Sequence, residues 1–199
     1  MPTGVAIRDP RAQLFDAAER ILLRAGPNAL TSRAVTTEAG VAKGVLHRHF
    51  ADFDAFLAEL VLDRARRVNA QAAALRASAG TGTVAGNLTG ALTDLFGSVA
   101  VAIVALVTFR DDLRARLRQS RPAGVPVLTE AVAMIAAYLT AERDLGRIAA
   151  DADVGTLAPT LIGAGHLLFA GTEGAPPAPG AVRKMVTTVI ASVLPAPPP

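Results

Sequence analysis

The residues with the clearest chemical purpose are crowded between positions 43 and 49. Lys43, Gly44, Val45, Leu46, His47, Arg48 and His49 place four nitrogen donors and one glycine within seven positions. Lysine and arginine bond guanine edges or phosphate oxygens, and a valine offers an apolar surface to a thymine methyl. Histidines donate to phosphates, and a glycine lets the backbone come close. Twelve residues upstream, Thr31, Ser32 and Arg33 supply hydroxyls, the free amides of a helix start and a guanidinium, all suited to phosphate oxygens. The candidate DNA-binding set is therefore Thr31, Ser32, Arg33, Lys43, Gly44, Val45, His47, Arg48 and His49.

Competing chemistries find little support. The 199 residues include no Cys, which excludes a thiolate metal site, a catalytic thiol and a disulfide scaffold. There are only three His (His47, His49, His166), so no metal site is expected. No nucleophile with a base and an orienting group stands out, and no catalytic residue or cofactor is expected. Gly80-x-Gly82-x-x-x-Gly86 has a glycine pattern but neither a preceding strand nor a following lysine, so it is not read as a phosphate loop. The net charge is a modest +3, and lysine occurs only at Lys43 and Lys184. Placement matters more than the total. Residues 1–50 hold seven Lys and Arg against four Asp and Glu, an excess equal to that of the whole chain.

Helical periodicity must position these groups. Residues 11–25 repeat Leu14, Ala18, Ile21, Leu22 and Ala25 on one face, with Asp9 as cap, Pro10 in the first turn and Gly26-Pro27 as the stop. Thr31 caps a second helix whose Leu30 and Val35 form a hydrophobic staple, and Gly40 ends it. A third helix is read over Val41–Phe50, weakly capped at Ala42. Asp52 caps a fourth, 53–77, with Phe53, Phe56, Leu57, Leu60, Val61 and Val68 on its apolar face. Residues 78–90 read as a glycine- and threonine-rich loop passing into a soft helix start. Further helices are expected near 91–109, 111–119, 126–143, 153–171 and 179–194, punctuated by Pro122, Pro126, Gly146 and residues 176–179. The apolar run Leu95–Phe109 spans 15 residues, short of the roughly 20 a spanning helix needs, and reads as a core helix. The expectation is an all-α chain of about nine helices: an N-terminal helix-turn-helix domain over 8–60, a larger helical bundle over 61–194 and a disordered tail at 195–199. With no signal-peptide core in residues 1–10, the expected location is cytoplasmic.

Two short helices about Gly40, supported by a third, make a helix-turn-helix, which lays its second helix in the major groove. Val35, Ala39, Val41, Leu46 and Phe50 have the spacing to hold the unit together. The string LTSRAVTTEAGVAKGVLHRHFADFDAFLAEL, residues 30–60, resembles the N-terminal domain of TetR-family transcriptional regulators. It has the leading Leu-Thr, the Ala-Gly-Val turn, the Lys-Gly opening the recognition helix, the closing His-Phe and a capped fourth helix. The departures lie at His47, where family members commonly carry Tyr, at Ala42 and Val45, where many carry Ser or Thr, and at Phe53, where many carry Lys. Losing those contacts would shift DNA binding onto Arg33, Lys43 and Arg48, with Arg8 and Arg11 ahead of the first helix.

The resemblance implies a ligand-binding and dimerisation domain from about residue 65. Candidate pocket residues are Phe96, Ile103, Val107, Phe109, Met134, Tyr138, His166 and Phe169, with Asp94 and Arg110 as further polar candidates. An Ala/Val-rich bundle suits an apolar or amphipathic small-molecule effector. Val154, Leu157, Leu161 and Leu168 on one late helix, and Val182, Met185, Val186, Val189, Ile190 and Val193 on the last, are the candidate homodimer interface. The basic run 110–121 reads as a solvated helix; in the family the corresponding segment helps carry the ligand signal. The expected function is a ligand-responsive repressor of a near-palindromic double-stranded DNA operator. A small-molecule-binding helical protein with a weakened or lost DNA reader is the alternative.

Overall fold

The computed structural model describes residues 9–120, 124–171 and 175–195. Among them the chain is all-helical, with ten α-helices, two short 3-10 turns and no strand. Arg8, Arg121, Pro122 and tail residues 196–199, all singled out from the sequence, lie outside the described residues.

Local signals set the N-terminal helices. Helix α1 (Pro10–Ala25) opens under the Asp9 carboxylate, which accepts from the Arg11 and Ala12 amides, and stops at Gly26. A 3-10 turn, Pro27–Ala29, leads into α2 (Ser32–Glu38), where the Thr31 hydroxyl accepts from the Ala34 amide. Gly40, at φ 67°, makes the left-handed turn that a side chain would strain. Helix α3 is shorter than expected, Gly44–His49, because no side chain caps its start, and Val41 and Ala42 lie outside it. Helix α4 (Phe53–Ala77) runs unbroken for 25 residues beneath the Asp52 cap, so the boundary expected near residue 60 falls inside a helix.

The core of this first unit is aromatic. Phe50 and Phe56 meet edge-on at 5.1 Å, and Phe15 lies 5.8 and 5.6 Å from them. Leu14, Leu30, Val35, Leu46 and Leu57 are buried around the rings. Ala25, placed on the apolar face from its spacing, is exposed instead, because α1 ends there and nothing packs over it.

The expected helix 91–109 is two helices. Helix α5 (Val84–Phe96) begins within 78–90, where a soft helix start is expected, because Thr83 caps the Gly86 amide and Val84, Leu88, Leu92 and Leu95 bury one continuous stripe. It turns at Gly97 into α6 (Ala100–Thr108), at an angle of 56°. Among the described residues no single helix is long and apolar enough to cross a membrane. Helix α7 (Asp111–Ser120) packs on α4 and α6. Helix α8 (Leu128–Asp144) lies along α4 and α9 (Val154–Ala170), while α10 (Ala181–Ile190) crosses α5 and α9. One apolar core joins all these layers.

Candidate functional site

The helix-turn-helix divides its cations into two groups. Arg11 is tied inward: its guanidinium pairs with Glu59, donates to the His49 carbonyl and sits 4.5 Å over the Phe50 ring. It belongs to α1 rather than to a free arm ahead of it, and it staples α1 to the end of α3. Arg20 and Arg24 are also committed, both to Glu38, at 2.8 and 2.9 Å. Their hydrogen bonds hold the Glu38 carboxyl below its usual range. Arg33, Lys43 and Arg48 are exposed and make no ion pair among the described residues. Three basic side chains are thus left uncommitted on α2, the turn and α3.

The other candidate residues fall into place around them. Lys43 sits at the cap position of α3, followed by an exposed Gly44. A Cβ added at Gly44 would meet nothing within 4 Å, so its role is not one of internal packing. His47 is exposed; His49 and Val45 are half-buried, and Val45 packs against the core. Thr31 is exposed, with its oxygen engaged in the cap. Ser32 departs from expectation: its hydroxyl oxygen is buried, so it is withdrawn from the exposed set.

A buried arginine joins α4 to α1. The Arg64 side chain is only 5% exposed and faces Glu19, Asp63 at 3.1 Å and Asp16 at 3.6 Å. Farther along, α7 reaches the start of α4. Arg116 pairs with the Asp52 carboxylate at 2.8 Å, and the Arg110 guanidinium lies 5.7 Å from the Phe53 ring. The Ala55 amide and then Arg116 hold the Asp52 carboxyl below its usual range. Arg110 therefore belongs to this junction, not to a pocket. The basic run, expected as a solvated helix, buries Leu113 and Leu117 and keeps its other face outside. These junctions are long-range, and sequence spacing alone carries no signal for them.

Among the described residues, the expected pocket residues are divided between the core, the surface and two separate cavities. Phe109 is 81% exposed, because α6 ends at Thr108 and the chain turns outward there. Ile103 and Val107 are packed in the core. Tyr138 is fully buried and donates to Glu142 at 2.5 Å while accepting from Asn87 at 3.0 Å. Burial, and then the Glu142 carboxylate, push the phenol above its usual range. Glu142 is itself fully buried and pairs with Arg147 at 3.3 Å, so Tyr138 belongs to a structural network pinning α8 to the α4–α5 loop. The i, i+4 spacing of Tyr138 and Glu142 was the one available signal. His166 lies edge-on to Phe96 at 6.0 Å, and burial pushes its imidazole below the usual range. Phe96 and Phe169 border a groove of about 570 Å³ where the end of α1 meets the α5–α6 turn and the end of α9. Met134 lines a separate cavity of about 360 Å³ between α4, α5 and α8, together with Asp94.

The last two helices also divide their residues differently from expectation. Val154, Leu161, Val182, Val186 and Ile190 are buried in this chain's own core, so their side chains do not face outward. Leu157, Leu168, Met185, Val189 and Val193 are half-buried at its edge. What α9 leaves outside is Gly155, Thr156, Pro159, Thr160 and Gly163, followed by Leu167 at 74% exposure.

Residues 14–60 match the model for bacterial regulatory proteins of the tetR family. No curated protein matches the sequence. Among solved structures, a TetR-family transcriptional regulator from Agrobacterium tumefaciens superposes with a TM-score of 0.71 at 12% identity, covering 94% of this chain and 98% of that one. FadR from Bacillus subtilis, solved with stearoyl-CoA, gives 0.65 at 16%, covering 90% and 97%. Salmonella enterica GusR gives 0.63 at 16%, covering 94% and 98%.

Proposed function

We propose that this chain, which through residues 14–60 belongs to the tetR family of bacterial regulatory proteins, is a DNA-binding transcriptional repressor released from its operator by a small molecule. The observation that carries this reading is the division of cations in the helix-turn-helix. Arg11, Arg20 and Arg24 are consumed by internal pairs, whereas Arg33, Lys43 and Arg48 stay exposed and unpaired among the described residues. An exposed cation without a partner breaks no ion pair when it is redirected, and a polyanion supplies its partner while releasing counterions.

In this reading α3 enters the major groove. Lys43 and Arg48 bond base edges or phosphates, with His47 and His49 beside them, while Arg33 and the Thr31 end of α2 hold the backbone. Gly44 permits close approach. The recognition helices of a homodimer must lie about 34–36 Å apart to meet successive major grooves. The outward face of α9, with Leu167, and the exposed side of α10 supply the twofold contact, because small residues allow two helices to pack closely. An apolar or amphipathic effector in the helical bundle favours a dimer with a different spacing, by no more than its difference in affinity for the two forms. The stearoyl-CoA bound by the Bacillus subtilis FadR supports an amphipathic class of effector.

The test is operator selection from genomic fragments, followed by affinity measurements. Lys43→Ala and Arg48→Ala should each weaken binding, by about 1–3 kcal/mol where the contact is to a base. A phosphate contact should instead lower the salt slope by about one. If both variants bind like wild type, the reader assignment is wrong. If no fragment is selected, the protein is a small-molecule binder whose reader has been lost, an outcome consistent with His47 and with Phe53 lying beneath Arg110.

A further inference from the structure

The cavity of about 360 Å³ between α4, α5 and α8 has an unusual polar inventory. Its apolar walls are Leu75 and Met134, both nearly buried, and the half-buried Ala91. Asp94, exposed at the mouth of the cavity near the C-terminal end of α5, is the single charged residue that lines it. The carboxylate makes no ion pair or hydrogen bond among the described residues, and no Lys, Arg or His lines the cavity. The neighbouring donors are already spent. Both Asn87 amide hydrogens go to the Ser78 and Thr81 carbonyls and the Tyr138 hydroxyl. The Ser78 hydroxyl donates to the Leu75 carbonyl. Only Gln71 retains an uncommitted side-chain donor.

An anionic head group placed here would meet a like charge and almost no donor. A cationic head group with N–H bonds to give would meet an unpaired carboxylate. We infer that this cavity is the effector site and that it selects an amphipathic organic cation, a protonated alkyl- or arylamine, with its nitrogen at Asp94 and its apolar body against Leu75, Ala91 and Met134. The inference rests on the proposed ligand-responsive reading and names the chemical class of that ligand. Gly90 provides the means to close the site. It lines the cavity, and a Cβ built on it meets nothing within 4 Å.

Three probes with one chain and different head groups test this: octylammonium, octanol and octanoate, titrated calorimetrically into the full-length protein without DNA. Octylammonium should bind about tenfold or more tighter than octanoate, with octanol between them. Asp94→Asn should bring the three affinities to within about a factor of two, and Gly90→Leu should abolish binding while the melting temperature is maintained. Octanoate binding as tightly as octylammonium overturns the inference, as does no octylammonium binding at millimolar concentration. Octylammonium binding that Gly90→Leu leaves unchanged overturns the location. These outcomes are separate from operator binding. A protein that holds octylammonium through Asp94 yet shows no operator keeps the cavity assignment and loses the repressor reading.

Discussion

The carboxylate of Asp52 is shared between two jobs: it accepts the Ala55 amide that starts α4, and it pairs at 2.8 Å with Arg116 on α7. One oxygen holds a helix start inside the DNA-binding unit, and the other is held by the bundle. The pair therefore ties α7 to the first turn of α4, whose Phe56 packs edge-on against Phe50 at the end of α3. Arg110 against Phe53 adds a second contact to the same turn.

Arg116→Gln should leave operator affinity near wild type while reducing the effect of octylammonium on operator binding about three- to tenfold, the usual reach of a single coupling residue. Asp52→Asn, which keeps a cap oxygen and removes the charge, should act similarly. The double variant should be no worse than either alone, since both remove one interaction. Operator titrations with and without octylammonium measure this; strictly additive losses would show that the pair does not act as a unit.

The Phe15–Phe50–Phe56 cluster sets the position of α3. Phe50 is 3% exposed, and its replacement by alanine should cost about 3–5 kcal/mol in urea unfolding, with loss of operator binding. Phe50→Leu should cost about 1–2 kcal/mol. A cost for Phe50→Ala below that of Phe50→Leu would refute the packing role.

Two helix glycines should respond oppositely to alanine. At Gly165 the added Cβ would lie 2.8 Å from Phe96 Cε2, in a buried position where the ring has little room to retreat. Gly165→Ala should be destabilising, by about 1–3 kcal/mol. At Gly90 the Cβ finds open space, and Gly90→Ala should stabilise by about 0.5–1 kcal/mol through the lower entropy of the unfolded chain. Melting curves of the two variants should move in opposite directions.

His166 gives a pH dependence. Burial lowers its folded pKa from the usual 6.5, so below that pH the unfolded chain binds a proton that the folded chain resists. Stability contributed by the neutral imidazole is present above the unfolded pKa and is lost as pH falls from there through the lower folded pKa. The urea midpoint should drop between pH 7.5 and 5.5 more in wild type than in His166→Gln. Equal drops would show that another group carries the acid sensitivity.

Much of this architecture was legible because it is written over short distances. Asp9, Thr31 and Asp52 each cap the helix expected of them, and Gly40 takes the left-handed turn that the helix-turn-helix requires. A cap is settled within three or four residues, so residue type and spacing suffice. The motif over residues 30–60 is equally local, and the family model over 14–60 agrees with it. Residues 78–90 do pass from a loop into a helix start, and the Thr83 cap with the stripe from Val84 to Leu95 fixes that start at Val84.

What periodicity cannot say is which partner covers an apolar face, or which charge answers another. The stripes on α9 and α10 were visible, yet only the packed bundle turns Leu161, Val186 and Ile190 into its own core and leaves Leu167 outside. The arginines of the first helices look alike in sequence. Only the tertiary structure commits Arg11 to Glu59 and Arg20 and Arg24 to Glu38, while leaving Arg33, Lys43 and Arg48 unpaired among the described residues. Sequence alone determined the starts of α1, α2 and α4 and their caps at Asp9, Thr31 and Asp52, because those are made by neighbours. The tertiary structure decided the cavity at Asp94 and the junction at Asp52, because both are made by residues that meet only when distant helices pack.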